Sequence, residues 1–172
     1  TIEAGTDEFI KFEDRISQKF VMTPKEKGDF NLSGTHIRQG STHIILDQER
    51  YIEKIVMKST KPDPKVFAKV RGKLAWCAYS SRPDLTYYVA KLSQVKSEFV
   101  QTKDMEMMKK ALSLLEKHKV KLLYPKLDVQ TMYLAVYSDA SFATNWDYSS
   151  QLGYVVLMAD AKKRCCWLHW NS

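Results

Sequence analysis

The sequence predicts an α+β protein built in three successive parts, and three observations carry that prediction. Apolar residues recur at helical spacing in the first and middle parts; after Pro125 they alternate or run together as in strands; and charge is spread unevenly between the parts. Residues 1–57 hold 8 Lys+Arg against 10 Asp+Glu, net −2; residues 58–126 hold 16 against 6, net +10; residues 127–172 hold 3 against 4, net −1. The basic middle part suits a polyanionic partner. A lysine-rich solvated face with no partner would read the same way.

The chain of 172 residues has room for one large or two small units. A hydrophobic content of 44% with 12% aromatics argues against disorder. No apolar run approaches the roughly 18 to 20 residues of a membrane span, and no charged-then-apolar leader opens the chain. Three cysteines, two of them adjacent, make no disulfide framework, which agrees with a reducing, intracellular setting. The chain opens on Thr1 and stops at Ser172 directly after a strand, so a piece of something larger is expected.

In the first part, Thr6 to Phe20 reads as an amphipathic helix. Phe9, Phe12, Ile16 and Phe20 recur every three or four residues, Thr6 is placed to cap, and Asp7 and Glu8 occupy the first turn, where the helix dipole favours anions. Pro24 and Gly28 interrupt it. Phe30 to Arg38 and His43 to Leu46 read as two strands joined at Gln39-Gly40-Ser41-Thr42. A short helix over 47–56 follows, with Tyr51, Ile52 and Ile55 inward.

Lys58 to Pro64 is a linker, since Pro62 and Pro64 forbid a continuing helix. Three helices are expected after it. Over 65–79 the apolar stripe is Val66, Val70, Leu74 and Cys77, while Lys65, Lys69 and Lys73 stand at i, i+4 and i+8 on a neighbouring face. Pro83 starts the next helix, with Leu85, Val89 and Leu92 inward. The third runs over 102–119 on Met105, Met108, Leu112 and Leu115, methionines that read as adaptable core. Beyond Pro125, segments 132–138, 151–159 and 165–170 read as strands, with Asp160 to Arg164 turning the second into the third.

Two sets of residues carry candidate chemistry. Asp139 ends the apolar run Leu134 to Ser138 among small neighbours, and a carboxylate at the end of a central, buried strand is costly unless a metal, a partner or water meets it. A turn-capping Asp is the plainer reading. The row Lys65, Lys69, Lys73 and Arg82, with Lys58 and Lys61 in the linker, suits phosphates and predicts salt-dependent binding. Trp76, Tyr79, Tyr87 and Tyr88 are interleaved with that row and would either stack on bases or pack as core. Cys165 and Cys166 would point to opposite faces of a strand, which argues against zinc with His169. No G-x-S-x-G elbow surrounds Ser138, so a triad with Asp139 and His169 is rejected, and no phosphate-binding glycine loop occurs.

The residues also match a known pattern. Phe67 to Ser93, FAKVRGKLAWCAYSSRPDLTYYVAKLS, resembles the segment that follows the polymerase palm in copia-type (Pseudoviridae) LTR-retrotransposon polyproteins. Gly72, Leu74, Trp76, Ala78, Arg82, Pro83, Asp84, Leu85, Val89, Leu92 and Ser93 carry the match. The stretch YSDASFATNWDYSSQLGYVVLMAD, with CCWLHWNS after it, resembles the opening of the same polyproteins' ribonuclease H domain. FEDRISQKF and FNLSGTHIRQG resemble the helix and hairpin after the polymerase's catalytic turn, so the resemblance runs along nearly the whole chain.

The resemblance implies that 1–57 is the end of a reverse-transcriptase palm, 58–126 a basic thumb and connection, and 127–172 the first strands of an RNase H-like sheet. It implies an RNA–DNA hybrid as partner, together with the remainder of the Pol polyprotein, in cytoplasmic virus-like particles or the nucleus. Asp139 would be the first of four carboxylates that hold two Mg²⁺ ions in the intact parent enzyme. The chain departs from the family by having no Tyr-x-Asp-Asp polymerase motif and only one of the four carboxylates, and it carries Ser141 where many relatives have a second acid. One carboxylate cannot position two metals, so no polymerase or nuclease activity, and no tight Mg²⁺, is expected from this chain alone. The alternatives are a degenerate retroelement remnant acting as a basic nucleic-acid-binding module, or a remnant with no nucleic-acid role.

Overall fold

Ser33 and Gly34 set the first sheet. Both lie in the left-handed region, at φ 50° and 85°, as a two-residue type I′ hairpin requires. In the computed structural model, which describes residues 7–21, 28–57, 59–143 and 148–172, this turn splits the single strand expected over 30–38 into β1 (Asp29–Leu32) and β2 (Thr35–Gln39), with Leu32 opposite Thr35. Gly34 is also needed for space, because a Cβ there would come within 3.0 Å of the Tyr51 ring. β3 (His43–Asp47) follows through the expected turn. β4 (Leu122–Pro125) then pairs antiparallel with β3, giving the order β1-β2-β3-β4. A strand was not expected there, since four residues are too few to show a period; the last stretch of the middle part thus returns to the sheet of the first.

The middle part folds as helices around one core. α2 (Glu49–Ile52) is a single turn, shorter than the expected 47–56, and Tyr51, Ile52 and Ile55 pack half-buried against the core. α3 (Pro64–Ser80) begins where the linker prolines end. Pro64 takes the first helical position and Asp63 caps it, its carboxylate accepting from the N–H of Lys65 at 2.9 Å and Val66 at 3.0 Å. Pro83 opens a short 3₁₀ turn before α4 (Thr86–Ser93), and α5 (Thr102–Lys117) starts with Asp104 accepting from the Gln101 N–H at 2.8 Å. Phe67, Leu74, Cys77, Leu85, Leu92, Met105 and Met108 are fully buried together, each apolar side chain contributing about 1.5–3 kcal/mol. The methionines are core, as expected; Val66, Val89 and Leu112 sit half-buried at its edge.

α1 (Asp7–Lys19) forms as the periodicity predicts, yet Ile10, Phe12 and Phe20 remain exposed, so its apolar stripe is not part of this core. The expected cap at Thr6, the break at Pro24 and the side chain of Phe9 lie outside the described residues.

The second sheet is an antiparallel meander of β5 (Tyr133–Ser141), β6 (Gln151–Ala159) and β7 (Cys165–Asn171). The expectation of a buried, central first strand is overturned. Among the described residues β5 is an edge strand paired only with β6, and Leu134 and Val136 are 58% and 60% exposed. An apolar run reports strand propensity, not what covers the strand. On β7, Leu168 has no partner: Trp167 pairs with Leu157 and Trp170 with Val155. This bulge brings the two tryptophans to one face, edge to face at 5.9 Å. Trp170 Nε1 donates to the Ala78 carbonyl at 2.7 Å, tying the sheet to the end of α3, and the Cys166 thiol donates to the Pro125 carbonyl of β4.

Candidate nucleic-acid interface and the Asp139 strand

The lysine row exists on α3, with three members. Lys65 and Lys69 are exposed, and Lys73 is half-buried with Nζ donating to the Lys54 carbonyl at 2.8 Å. Four-residue steps rise ~6 Å each, so the row runs ~12 Å and matches three or four phosphates of one strand. Between the helix and the linker lies a groove of about 450 Å³ lined by Lys54, Lys61, Lys69 and Lys73, with Val56 and Val66 on its walls. Asp63, the acid in this lining, turns its carboxylate to the helix N-terminus. Lys54 was missed by sequence reasoning: it comes from the turn after α2, and its proximity to α3 is a tertiary fact with no local signature. Lys58 lies outside the described residues.

Arg82 does not belong to the row. It is 1% exposed, with Nε donating to Asp84 Oδ1 at 2.8 Å and Nη2 to Oδ2 at 2.6 Å. This bidentate fork closes the corner between α3 and α4. A guanidinium with no accessible face cannot meet a phosphate, so its expected binding role is replaced by a structural one. Formal charge gives no side-chain direction; the Asp two residues on is the local clue.

The aromatic residues divide between the two readings. Trp76 Nε1 donates to the Ser33 carbonyl at 3.1 Å, and Tyr88 packs half-buried against the core. Tyr79 and Tyr87 are exposed, Tyr79 stacked on Trp76 and Tyr87 beneath the Lys91 ammonium at 5.7 Å.

Asp139 stands seven residues into β5, exposed, opposite Gly153, with Oδ1 accepting from the Ala140 N–H at 2.9 Å. On an open edge its charge is met by water, so the cost that made it conspicuous in sequence is absent. Among the described residues no group of three or more His, Cys, Asp or Glu is arranged to hold a metal ion. Two divalent ions need shared carboxylates, and these residues do not fit them. Ser138 points to the opposite face from Asp139, and His169 Nδ1 meets the Tyr154 hydroxyl at 3.0 Å, which leaves no triad.

Asp160, expected only as a turn residue, is the buried carboxylate of the second sheet. It accepts from the N–H groups of Asp128, Lys162 and Arg164 and from the Arg164 guanidinium. Burial alone would raise its pKa, but these donors more than offset that and hold it at about 2. Burial pushes the Cys77 thiol up to about 12, against a smaller opposing pull from Arg82.

No protein-family model, curated protein or solved structure matches the chain. Among the described residues no helix is long and apolar enough to cross a membrane.

Proposed function

We propose that this chain is part of a copia-type reverse transcriptase and ribonuclease H region, and that it holds an RNA–DNA template-primer by its phosphate backbone. The observation that carries the reading is the row Lys65, Lys69 and Lys73 on a rigidly packed helix inside the segment of net charge +10. Ammonium groups on a fixed helix meet phosphates without reading bases, and the exposed Tyr79 of α3 and Tyr87 of α4 would be open to contact with sugars or bases. The RPDL segment gains a physical rationale in the same reading, because its Arg and Asp close the corner that holds α3.

The antiparallel meander with Asp139 on its first strand agrees with the opening of an RNase H-like sheet. In this proposal Asp139 contributes one carboxylate to a site completed by the remainder of the Pol polyprotein, and the chain alone hydrolyses nothing. Clear Mg²⁺-dependent cleavage by the purified chain, lost in Asp139→Asn, would contradict that.

The binding test is fluorescence anisotropy on hybrid, duplex DNA and single-stranded RNA over a salt series. Binding should be strongest at about 50 mM salt, and the triple substitution Lys65→Gln, Lys69→Gln, Lys73→Gln should flatten the log–log slope by about 2 to 3. Absence of binding to every probe at the low salt end would overturn the proposal in favour of a remnant with no nucleic-acid role.

A further inference from the structure

The groove beside α3 holds more than a backbone-tracking row requires. Lys54 lines it from the turn after α2, Lys61 from the linker, Lys69 and Lys73 from the helix, and Lys65, the first member of the row, is not in its lining. Among the described residues none of these four ammonium groups is ion-paired. Lys73 is held in place by its bond to the Lys54 carbonyl and keeps two donors free. Asp63 lends its carboxylate to the N–H groups of Lys65 and Val66 and contributes one negative charge against the four ammonium groups of the lining. Four like charges around one concavity repel each other, and a compact multivalent anion relieves them all at once.

The walls narrow the choice of anion. Val56, Pro62, Val66 and Val70 give the groove an apolar lining beneath the charges, and a volume of about 450 Å³ lies in the range of small-ligand sites. A bare phosphate would leave those walls against water, and a continuous duplex backbone would ride the outer ridge. We infer that the groove is a binding site for a small organic polyphosphate, of the size and chemistry of a nucleoside triphosphate. The phosphates sit among Lys54, Lys61, Lys69 and Lys73, and the organic body lies against Val56 and Val66. This site shares Lys69 and Lys73 with the row of the hybrid-binding proposal and differs from it in Lys54 and Lys61, which line the groove, and in Lys65, which does not.

Calorimetric titration of the full chain with ATP, and in parallel with inorganic tripolyphosphate, tests it at about 50 mM salt. ATP should bind saturably at one site. The pair Lys54→Gln and Lys61→Gln, both exposed in the free chain, should weaken ATP about tenfold or more, with an unchanged circular dichroism spectrum. Lys65→Gln should leave ATP binding intact while weakening the hybrid, and Val56→Ser should weaken ATP and spare tripolyphosphate. The inference is overturned if ATP gives no saturable heat, or if the Lys54 and Lys61 substitutions affect ATP no more than Lys65→Gln does. Tripolyphosphate and ATP responding equally to Val56→Ser would overturn the organic part of the assignment. Loss of hybrid binding by Lys65→Gln tests the other proposal and leaves this one standing.

Discussion

The helical middle and the second sheet bury their apolar residues to very different degrees. Around α3, Leu74, Leu92, Met105 and Met108 have no exposed surface, and even the cationic Arg82 is enclosed, with its partner Asp84 at the surface. In the second sheet Leu134, Val136 and Tyr137 stand open, and full enclosure is confined to the far end, at Ala159 and Asp160. The lysine groove therefore sits on a platform whose shape is set by side-chain packing, whereas Asp139 sits on an exposed strand held by its backbone pairing with β6. The proposed binding row thus stands on a packed helix, and Asp139 stands on an exposed strand.

Arg82→Ala should break this comparison most severely. It frees Asp84, which is exposed enough to be met by water, and opens a hole the size of a large buried side chain in a closed corner, which costs about 3–5 kcal/mol. Arg82→Lys should fail to restore stability, since a lysine cannot make the bidentate contact. Urea denaturation measures both, and neither should change the salt slope of binding once the fold is retained. Leu74→Ala should cost about 2–5 kcal/mol, while Val136→Ala on the open sheet should stay within about 0.5 kcal/mol. Equal effects at the two positions would show that the second sheet is covered in solution.

The third expected effect is on acid stability. Asp160 is held at about 2, below its ordinary value of 3.8. A depressed carboxylate contributes stability that is complete above its unfolded pKa and is lost as pH falls through the folded one. The second sheet, followed by the fluorescence of Trp167 and Trp170, should thus weaken between about pH 4 and pH 2. Asp160→Asn should remove that pH dependence and lower the starting stability. The smallest effect is chemical: Cys77, buried with a thiol pKa near 12, should resist alkylation in the native state, while the less buried Cys165 and Cys166 react first.

Helices and core positions of the middle part were legible because periodicity and punctuation agree there. Val70, Leu74 and Cys77 repeat on one face, and Asp63-Pro64 supplies both cap and first residue. The Ser33-Gly34 turn was legible in principle, as a dipeptide that favours left-handed conformations, but the apolar residues on both sides masked it. β4 was not legible, since its partner lies some eighty residues upstream and pairing at that distance leaves no local mark. The candidate sites show the same division. Lys65, Lys69 and Lys73 follow from helical spacing alone, whereas the burial of Arg82, the approach of Lys54 and the openness of β5 depend on what the rest of the chain places around them.

The unpaired Leu168 acts as a parity switch for the end of β7. Side chains along a strand alternate, so Trp167 and Trp170, three positions apart, would face opposite ways in a regular strand. The extra residue restores their agreement and lets Trp170 reach the Ala78 carbonyl. Length changes in this strand are therefore governed by an odd–even rule. Loss of Leu168 alone would remove the bulge and leave the two tryptophans two positions apart, still on one face with Trp170 opposite Val155. Loss of both Leu168 and His169 would make the tryptophans neighbours, turn Trp170 to the other face and uncouple the sheet from α3. A related chain without the bulge should therefore be one residue shorter here and keep both tryptophans on one face.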